Sequence, residues 1–155
     1  GQHSADNPPH IVGIARGGIP LAERIANELS KIWGIPLNCG QIDISFHRDD
    51  ITSNPIPKTV DDTELPYDVE DTNIILVDDV LFTGRTVRAA LNELFDLGRP
   101  QKVELAILFD RGGRCLPIQP DYAGFRKTIP AEDQVVVKLT PQPSDADEIL
   151  IVKHA

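Results

Sequence analysis

The chain predicts an α/β protein built on a twisted, mainly parallel sheet with helices on both faces. Short apolar runs begin near residues 11, 74 and 103, and a continuous apolar run of this length is expected of a strand buried on both sides. Segments with apolar residues at helical spacing follow the first two. Glycine-bearing loops join strand to helix, which is the pattern of βα units.

Ile11 to Ile14 is the first strand, and Ala15-Arg16-Gly17-Gly18 is its loop. Leu21, Ile25, Leu29 and Ile32 then mark one face of a helix stopped by Gly34 and Pro36. Leu37 to Phe46 alternates in part, with Ile42, Ile44 and Phe46 on one side, as a half-covered strand should. Residues 47–71 are proline- and acid-rich without periodicity, and a loop of that length in a compact domain is usually a functional lid or a flexible segment. Ile74 to Val77 is a strand, Thr86 to Leu97 a helix with Val87, Ala90, Leu91, Leu94 and Phe95 as its apolar stripe, and Gly98 with Pro100 its stop. Lys102 to Phe109 is another strand, followed by the polar loop 110–114. Gln134 to Leu139 and Glu148 to Val152 are the last two strands.

At 155 residues, 41% hydrophobic, the chain fits one domain over residues 10–155 with a single core. It contains no methionine, so residues 1–9 are expected to be a lead-in or tag remnant. No apolar run is long enough for a membrane span, and no secretory signal is recognisable, so a soluble cytoplasmic protein is expected. Cys39 and Cys115 are the only cysteines and make neither a disulfide framework nor a metal set. A net charge of −9 speaks against a nucleic-acid surface over the whole molecule.

The most informative stretch is 74–86, Ile-Ile-Leu-Val-Asp-Asp-Val-Leu-Phe-Thr-Gly-Arg-Thr. An apolar strand delivers Asp78 and Asp79 to its carboxyl end, where open α/β sheets bind ligands, and two carboxylates there accept hydrogen bonds from a vicinal diol. Thr83-Gly84-Arg85-Thr86 offers hydroxyls and backbone N–H groups at a helix N-terminus, a phosphate site. Diol and phosphate together describe a ribose 5-phosphate. Three plainer readings compete. The strand with its acid pair also looks like a Walker B element, but the chain has no G-x-x-x-x-G-K-[ST]. The acidic pocket of a receiver domain would sit on the first strand. The third takes Asp78 as a strand-end turn residue with Thr83 and Thr86 as helix caps; the attachment of Thr-Gly-Arg-Thr to the acid pair weighs toward the functional reading. Gly13 to Gly18 is the natural place for a diphosphate, because a backbone lacking Cβ atoms approaches an anion closely.

The 74–86 string resembles the signature of type I phosphoribosyltransferases, which bind 5-phosphoribosyl 1-diphosphate (PRPP). Asp43-Ile44-Ser45-Phe46-His47-Arg48-Asp49-Asp50, running into the root of the flap, and Phe109-Asp110-Arg111-Gly112-Gly113-Arg114-Cys115-Leu116-Pro117 after the second helix narrow the likeness to the PyrR family, over residues 10 to 152. That family comprises pyrimidine operon regulators that are also uracil phosphoribosyltransferases. The resemblance implies the type I phosphoribosyltransferase fold with a flexible flap (47–71) and a small hood. By position it assigns the ribose hydroxyls to Asp78 and Asp79, and the 5-phosphate to Thr83, Gly84, Arg85 and Thr86. Val80, Leu81 and Phe82 complete that substrate loop. Ala15, Arg16, Gly17 and Gly18 take the diphosphate, and Arg48 folds over it. Asp110, Arg111 and Gly112 are placed to read the pyrimidine.

The expected cofactor is Mg²⁺ carried mainly by the diphosphate, with no protein metal ligands. The expected partners are PRPP, uracil and UMP, a second copy of the chain in a homodimer or homotetramer, and leader RNA, for which Arg114, Arg126 and Lys127 are the candidate surface. A purine phosphoribosyltransferase is the nearest rival. Hypoxanthine-guanine enzymes of the superfamily typically carry aspartate just before Thr-Gly, where this chain has Phe82. An RNA-binding attenuator with little activity, and a relative without activity, are the other readings. Two departures from the family pattern stand out: Ala-Arg-Gly-Gly where Lys-Thr-Arg-Gly is common, which displaces Arg16, and Phe125-Arg126-Lys127-Thr128 where Gly-Lys-Asn is usual.

Overall fold

A computed structural model describes residues 3–44, 63–140 and 142–154. The element order is β1 (His10–Ile14), α1 (Ala15–Trp33), β2 (Cys39–Ile42), β3 (Asn73–Leu81), α2 (Arg85–Leu97), β4 (Lys102–Asp110), β5 (Tyr122–Arg126), β6 (Gln134–Lys138) and β7 (Glu148–Val152). The first five strands form one sheet in the order β2-β1-β3-β4-β5, every pair parallel. β6 and β7 form a separate antiparallel hairpin, the hood.

Each helix packs on one face of the sheet. α1 lays Ala22 and Ala26 on Ile11, Ile75, Val77 and Ala106; these small residues let helix and sheet approach closely. α2 sets Val87, Ala89, Ala90 and Leu94 against Val12, Ile14, Ile74, Leu76, Leu105 and Ile107. Successive residues of a strand face opposite ways, so β3 serves both cores. This is why it reads as apolar throughout rather than alternating.

Three expectations are corrected. Ala15 to Gly18 is the first turn of α1 and not a separate loop. Phe95 is 54% exposed on the flank of α2, where Ala89 joins the buried set instead. Residues 63–71 are held against the sheet. Glu64 and Gln41 exchange backbone hydrogen bonds of 2.9 and 3.0 Å, Tyr67 stacks on His10 with ring centroids 3.6 Å apart, and Val69 is buried. Arg48 and the rest of the expected flap up to residue 62 lie outside the described residues.

β5 has no counterpart in the sequence reading. Tyr-Ala-Gly-Phe-Arg shows no local strand pattern, and its conformation comes from pairing with β4. Gly124 permits the close approach, since a Cβ there would stand 2.9 Å from the Leu108 carbonyl oxygen.

Candidate active site

β1 pairs with β3 only as far as Gly13 and Val77. Beyond that point β1 turns into α1 while β3 runs on beside β4 to Leu81. The chain therefore leaves these two adjacent strand ends toward opposite faces of the sheet, which is the switch point where open α/β sheets bind ligands. Asp78 to Leu81 has a bare edge there, facing the first turn of α1. Two N–H groups along this stretch go to carboxylates: Asp79 N donates to Asp78 Oδ1 at 2.9 Å, and Val80 N to Asp79 Oδ1 at 2.8 Å.

The glycines of α1's first turn are required by contact. A Cβ on Gly18 would lie 2.1 Å from the Val77 carbonyl oxygen, and one on Gly17 would lie 2.7 Å from both carboxylate oxygens of Asp79. Ala15 adopts φ +45, a left-handed conformation unfavourable for alanine, and this turns the chain sharply out of β1. The helix start has no side-chain cap and no acidic residue in its first turn. Its free backbone donors and the positive end of the helix dipole suit that turn to an anion.

The two carboxylates are not equivalent. Asp78 is 5% exposed, and burial, followed by the charge of Asp79, raises its pKa well above the ordinary aspartate value. Asp79 is partly exposed and lines an open cavity of about 350 Å³ with Arg16, Gly17 and Pro20 on one side and Val137, Lys138, Leu139 and Thr140 on the other. Asp79 thus faces the ligand space, and Asp78 lies beneath it holding the backbone.

Beyond β3, Gly84 at φ 93 starts α2 without a side-chain cap, and Thr83 Oγ1 accepts the Arg85 N–H at 3.3 Å. The Thr83 carbonyl oxygen accepts from the Cys115 and Leu116 N–H groups at 2.9 and 3.2 Å, fixing the turn from behind. Arg85 and Thr86 are exposed. Two helix N-termini, one on each face of the sheet, thus flank the acid pair.

The residues expected to read a base are engaged within the protein. Arg111 is 4% exposed, donates to the Asp133 and Pro130 carbonyl oxygens at 2.9 and 2.8 Å, and sets its guanidinium 3.9 Å from the centroid of Phe82. Asp110 is ion-paired with Arg114 at 2.7 Å and accepts the Gly112 N–H at 3.1 Å. Burial works to raise its pKa, but these bonds and the charges of Arg114 and Arg126 outweigh it, and the net shift is downward. Arg114 is withdrawn from the expected RNA surface, because it also bonds the Ile118 and Phe82 carbonyl oxygens at 2.8 and 2.9 Å. Arg126 and Lys127 are exposed. The physical reason is that the segments around this loop are irregular, so backbone groups without helix or sheet partners take side-chain ones: Phe82, Ile118, Pro130 and Asp133 carbonyl oxygens from Arg111 and Arg114, and the Gly112 N–H from Asp110.

Arg111 instead ties the root of the hood to Phe82. Arg111→Met leaves the buried Asp133 carbonyl oxygen, and the less enclosed Pro130 carbonyl oxygen, without their donor and should cost about 2 kcal/mol, measured as a lower urea midpoint at unchanged slope. Sequence reasoning missed the hood residues 137–140 as a cavity wall. Val-Lys-Leu-Thr carries no motif, and only the tertiary fold brings it over α1.

Comparisons with known proteins agree with this geometry. The phosphoribosyl transferase domain family matches residues 2–142. Proteins named "Bifunctional protein PyrR" from Deinococcus radiodurans and Caldicellulosiruptor bescii are 47% and 45% identical, covering 90% and 93% of this chain and 75% and 78% of their own. The chain belongs to the PyrR family of phosphoribosyltransferases. Among solved structures, a Trypanosoma cruzi hypoxanthine phosphoribosyltransferase has a TM-score of 0.65 at 18% identity, over 99% of this chain and 77% of that one. The hypoxanthine-guanine enzyme of Leishmania tarentolae with GMP gives 0.58 at 18%, over 83% and 66%. These likenesses establish the type I phosphoribosyltransferase fold for this PyrR-family chain. Among the described residues, no helix is long and apolar enough to cross a membrane.

Proposed function

We propose that the protein transfers the phosphoribosyl group of PRPP to uracil, forming UMP and diphosphate. The observation that carries this reading is one crevice lined by Asp79 and the uncapped first turn of α1, with the uncapped start of α2 following Asp79 along the same strand. A ribose fits at the acid pair, a 5-phosphate at the start of α2, and a diphosphate at the start of α1. Asp79 accepts hydrogen bonds from the ribose hydroxyls, fixing the sugar while N1 of uracil attacks C1′ and the diphosphate departs. The dipole of α1 and its N–H groups stabilise the charge that develops on the leaving group. Positioning of the two reactants supplies the remainder.

Among the described residues no three metal-ligating side chains converge, and the donors at hand are the two carboxylates. That set fits Mg²⁺ entering on the diphosphate, since Mg²⁺ usually keeps waters and binds through substrate phosphates. When bound it neutralises charge on the leaving group. Phe82 in the position before Thr83, packed between the Arg111 guanidinium and Gly113, offers no acceptor for a purine N7, which favours the pyrimidine.

A second activity is supported by the relatives' name, "Bifunctional protein PyrR", and by the exposed neighbours Arg126 and Lys127. These are the basic side chains we assign to leader RNA. Phosphate-backbone binding of this kind weakens steeply with salt.

The test of the enzyme is diphosphate release from PRPP and Mg²⁺ with uracil, hypoxanthine, guanine and orotate offered separately. Turnover with uracil alone is expected. Silence with all four, in a protein that still binds PRPP, would refute catalysis and leave RNA binding as the leading reading.

A further inference from the structure

The hood is a two-stranded hairpin outside the main sheet, and its placement over the cavity depends on anchors at its two ends. At the root, Arg111 donates to the Asp133 carbonyl oxygen, and the Asp133 carboxylate accepts the His154 N–H at 3.0 Å. At the tip stands Arg24, a residue of α1 remote in sequence and without any place in the phosphoribosyltransferase signature.

Arg24 forks onto Asp147, with Nη1 to Oδ2 at 2.7 Å and Nη2 to Oδ1 at 2.8 Å. Its Nε donates to the Thr140 carbonyl oxygen at 2.8 Å, and Nη2 also reaches the Gln142 carbonyl oxygen at 2.9 Å. Asp147 in turn accepts the Thr140 and Ser144 N–H groups, each at 3.2 Å. One guanidinium and one carboxylate thereby close the β6–β7 connection on itself and fasten it to α1. Bidentate, charge-assisted pairs of this kind are the strong and geometrically specific ones. The side chains are only 16% and 23% exposed.

The same helix that carries the clasp begins with the expected diphosphate turn. Arg16 and Arg24 are separated by about 12 Å along a rigid axis at the usual rise. Thr140, which Arg24 holds, ends the hood segment that forms the far wall of the cavity opposite Gly17 and Asp79. We propose that Arg24, through Asp147, is a positioning residue that sets the gap between the hood and the diphosphate turn, and with it the affinity for the substrates. The assignment to substrate affinity rests on the phosphoribosyl-transfer reading; the clasp itself does not.

Arg24→Gln and Asp147→Asn should each raise KM for uracil or PRPP about tenfold while kcat stays within about threefold, because the clasp touches neither reactant. Arg24→Lys keeps the charge but not the fork and should fall between. The double variant should be no worse than either single one, since both remove the same interaction. Hydrogen exchange gives the independent readout. In Arg24→Gln, amides of residues 134–152 should exchange about tenfold faster, with those of β1 and β3 unchanged. Unchanged exchange in the hood would overturn the clasp. Faster exchange with both KM values unmoved would overturn the positioning role and leave a merely structural contact. If the parent protein turns over no uracil, the transfer reading fails, and calorimetric PRPP affinity of the same variants takes the place of KM.

Discussion

Gly18→Ala is expected to destabilise the protein by at least about 3 kcal/mol, because the new methyl would meet the Val77 carbonyl oxygen at 2.1 Å. The obstacle is backbone on both sides, so no side chain can swing away. Relief requires α1 to lift from β3, and that displaces the diphosphate turn from Asp79. A misplacement of about 1 Å costs on the order of 10²-fold in rate, so whatever folds should be nearly inactive. Gly17→Ala makes the useful contrast. Its methyl would lie 2.7 Å from the Asp79 carboxylate, a group able to rotate, so stability should fall less than activity. Thermal melting and kcat/KM measured on both variants check the pair; a Gly18→Ala protein with parental melting would contradict the close approach of α1 to β3.

Asp79→Asn and Asp78→Asn should part company. Asp79 lines the cavity and is assigned the ribose hydroxyls. Two charge-assisted hydrogen bonds at about 1.5–3 kcal/mol each set the expected loss at roughly 10²–10⁴-fold in kcat/KM, with melting little changed. Asp78 is buried, and its pKa is raised first by that burial and then by Asp79. The folded chain therefore holds this proton more tightly than the unfolded chain. Below the unfolded value both states are protonated and nothing is lost. As pH rises through the raised folded value, ionisation weighs increasingly against folding. Asp78→Asn removes that penalty, so it should melt higher than the parent at neutral pH, by about 2–4 °C for each 1 kcal/mol relieved. The gain should shrink toward the ordinary aspartate range. A gain independent of pH would show that Asp78 is not a strained acid in the folded chain.

How much of this was legible in the sequence follows from where the information lies. The doubly buried β3, the two helices and an acid pair at the end of β3 are written locally, in apolar runs and in Val-Asp-Asp-Val-Leu-Phe-Thr-Gly-Arg-Thr, and the structure has them, with Asp79 alone of the pair lining the crevice. The inequality of Asp78 and Asp79 is not local. It arises because β1 departs at Ile14 and leaves one side of β3 bare. β5 was invisible because Tyr-Ala-Gly-Phe-Arg acquires strand geometry only from β4. Arg111 and Arg114 looked like recognition residues because exposed arginines after a strand often are. Here their N–H groups satisfy carbonyl oxygens that no helix or sheet covers. Arg24 had no signal at all, since its partners lie more than a hundred residues away.

Uracil transfer is tested by offering PRPP and Mg²⁺ together with equal amounts of uracil, hypoxanthine, guanine and orotate, and identifying the nucleotide formed by chromatography. UMP and diphosphate are expected in equal amounts, with the yield collapsing in Asp79→Asn. Accumulation of IMP, GMP or OMP in place of UMP would contradict uracil transfer.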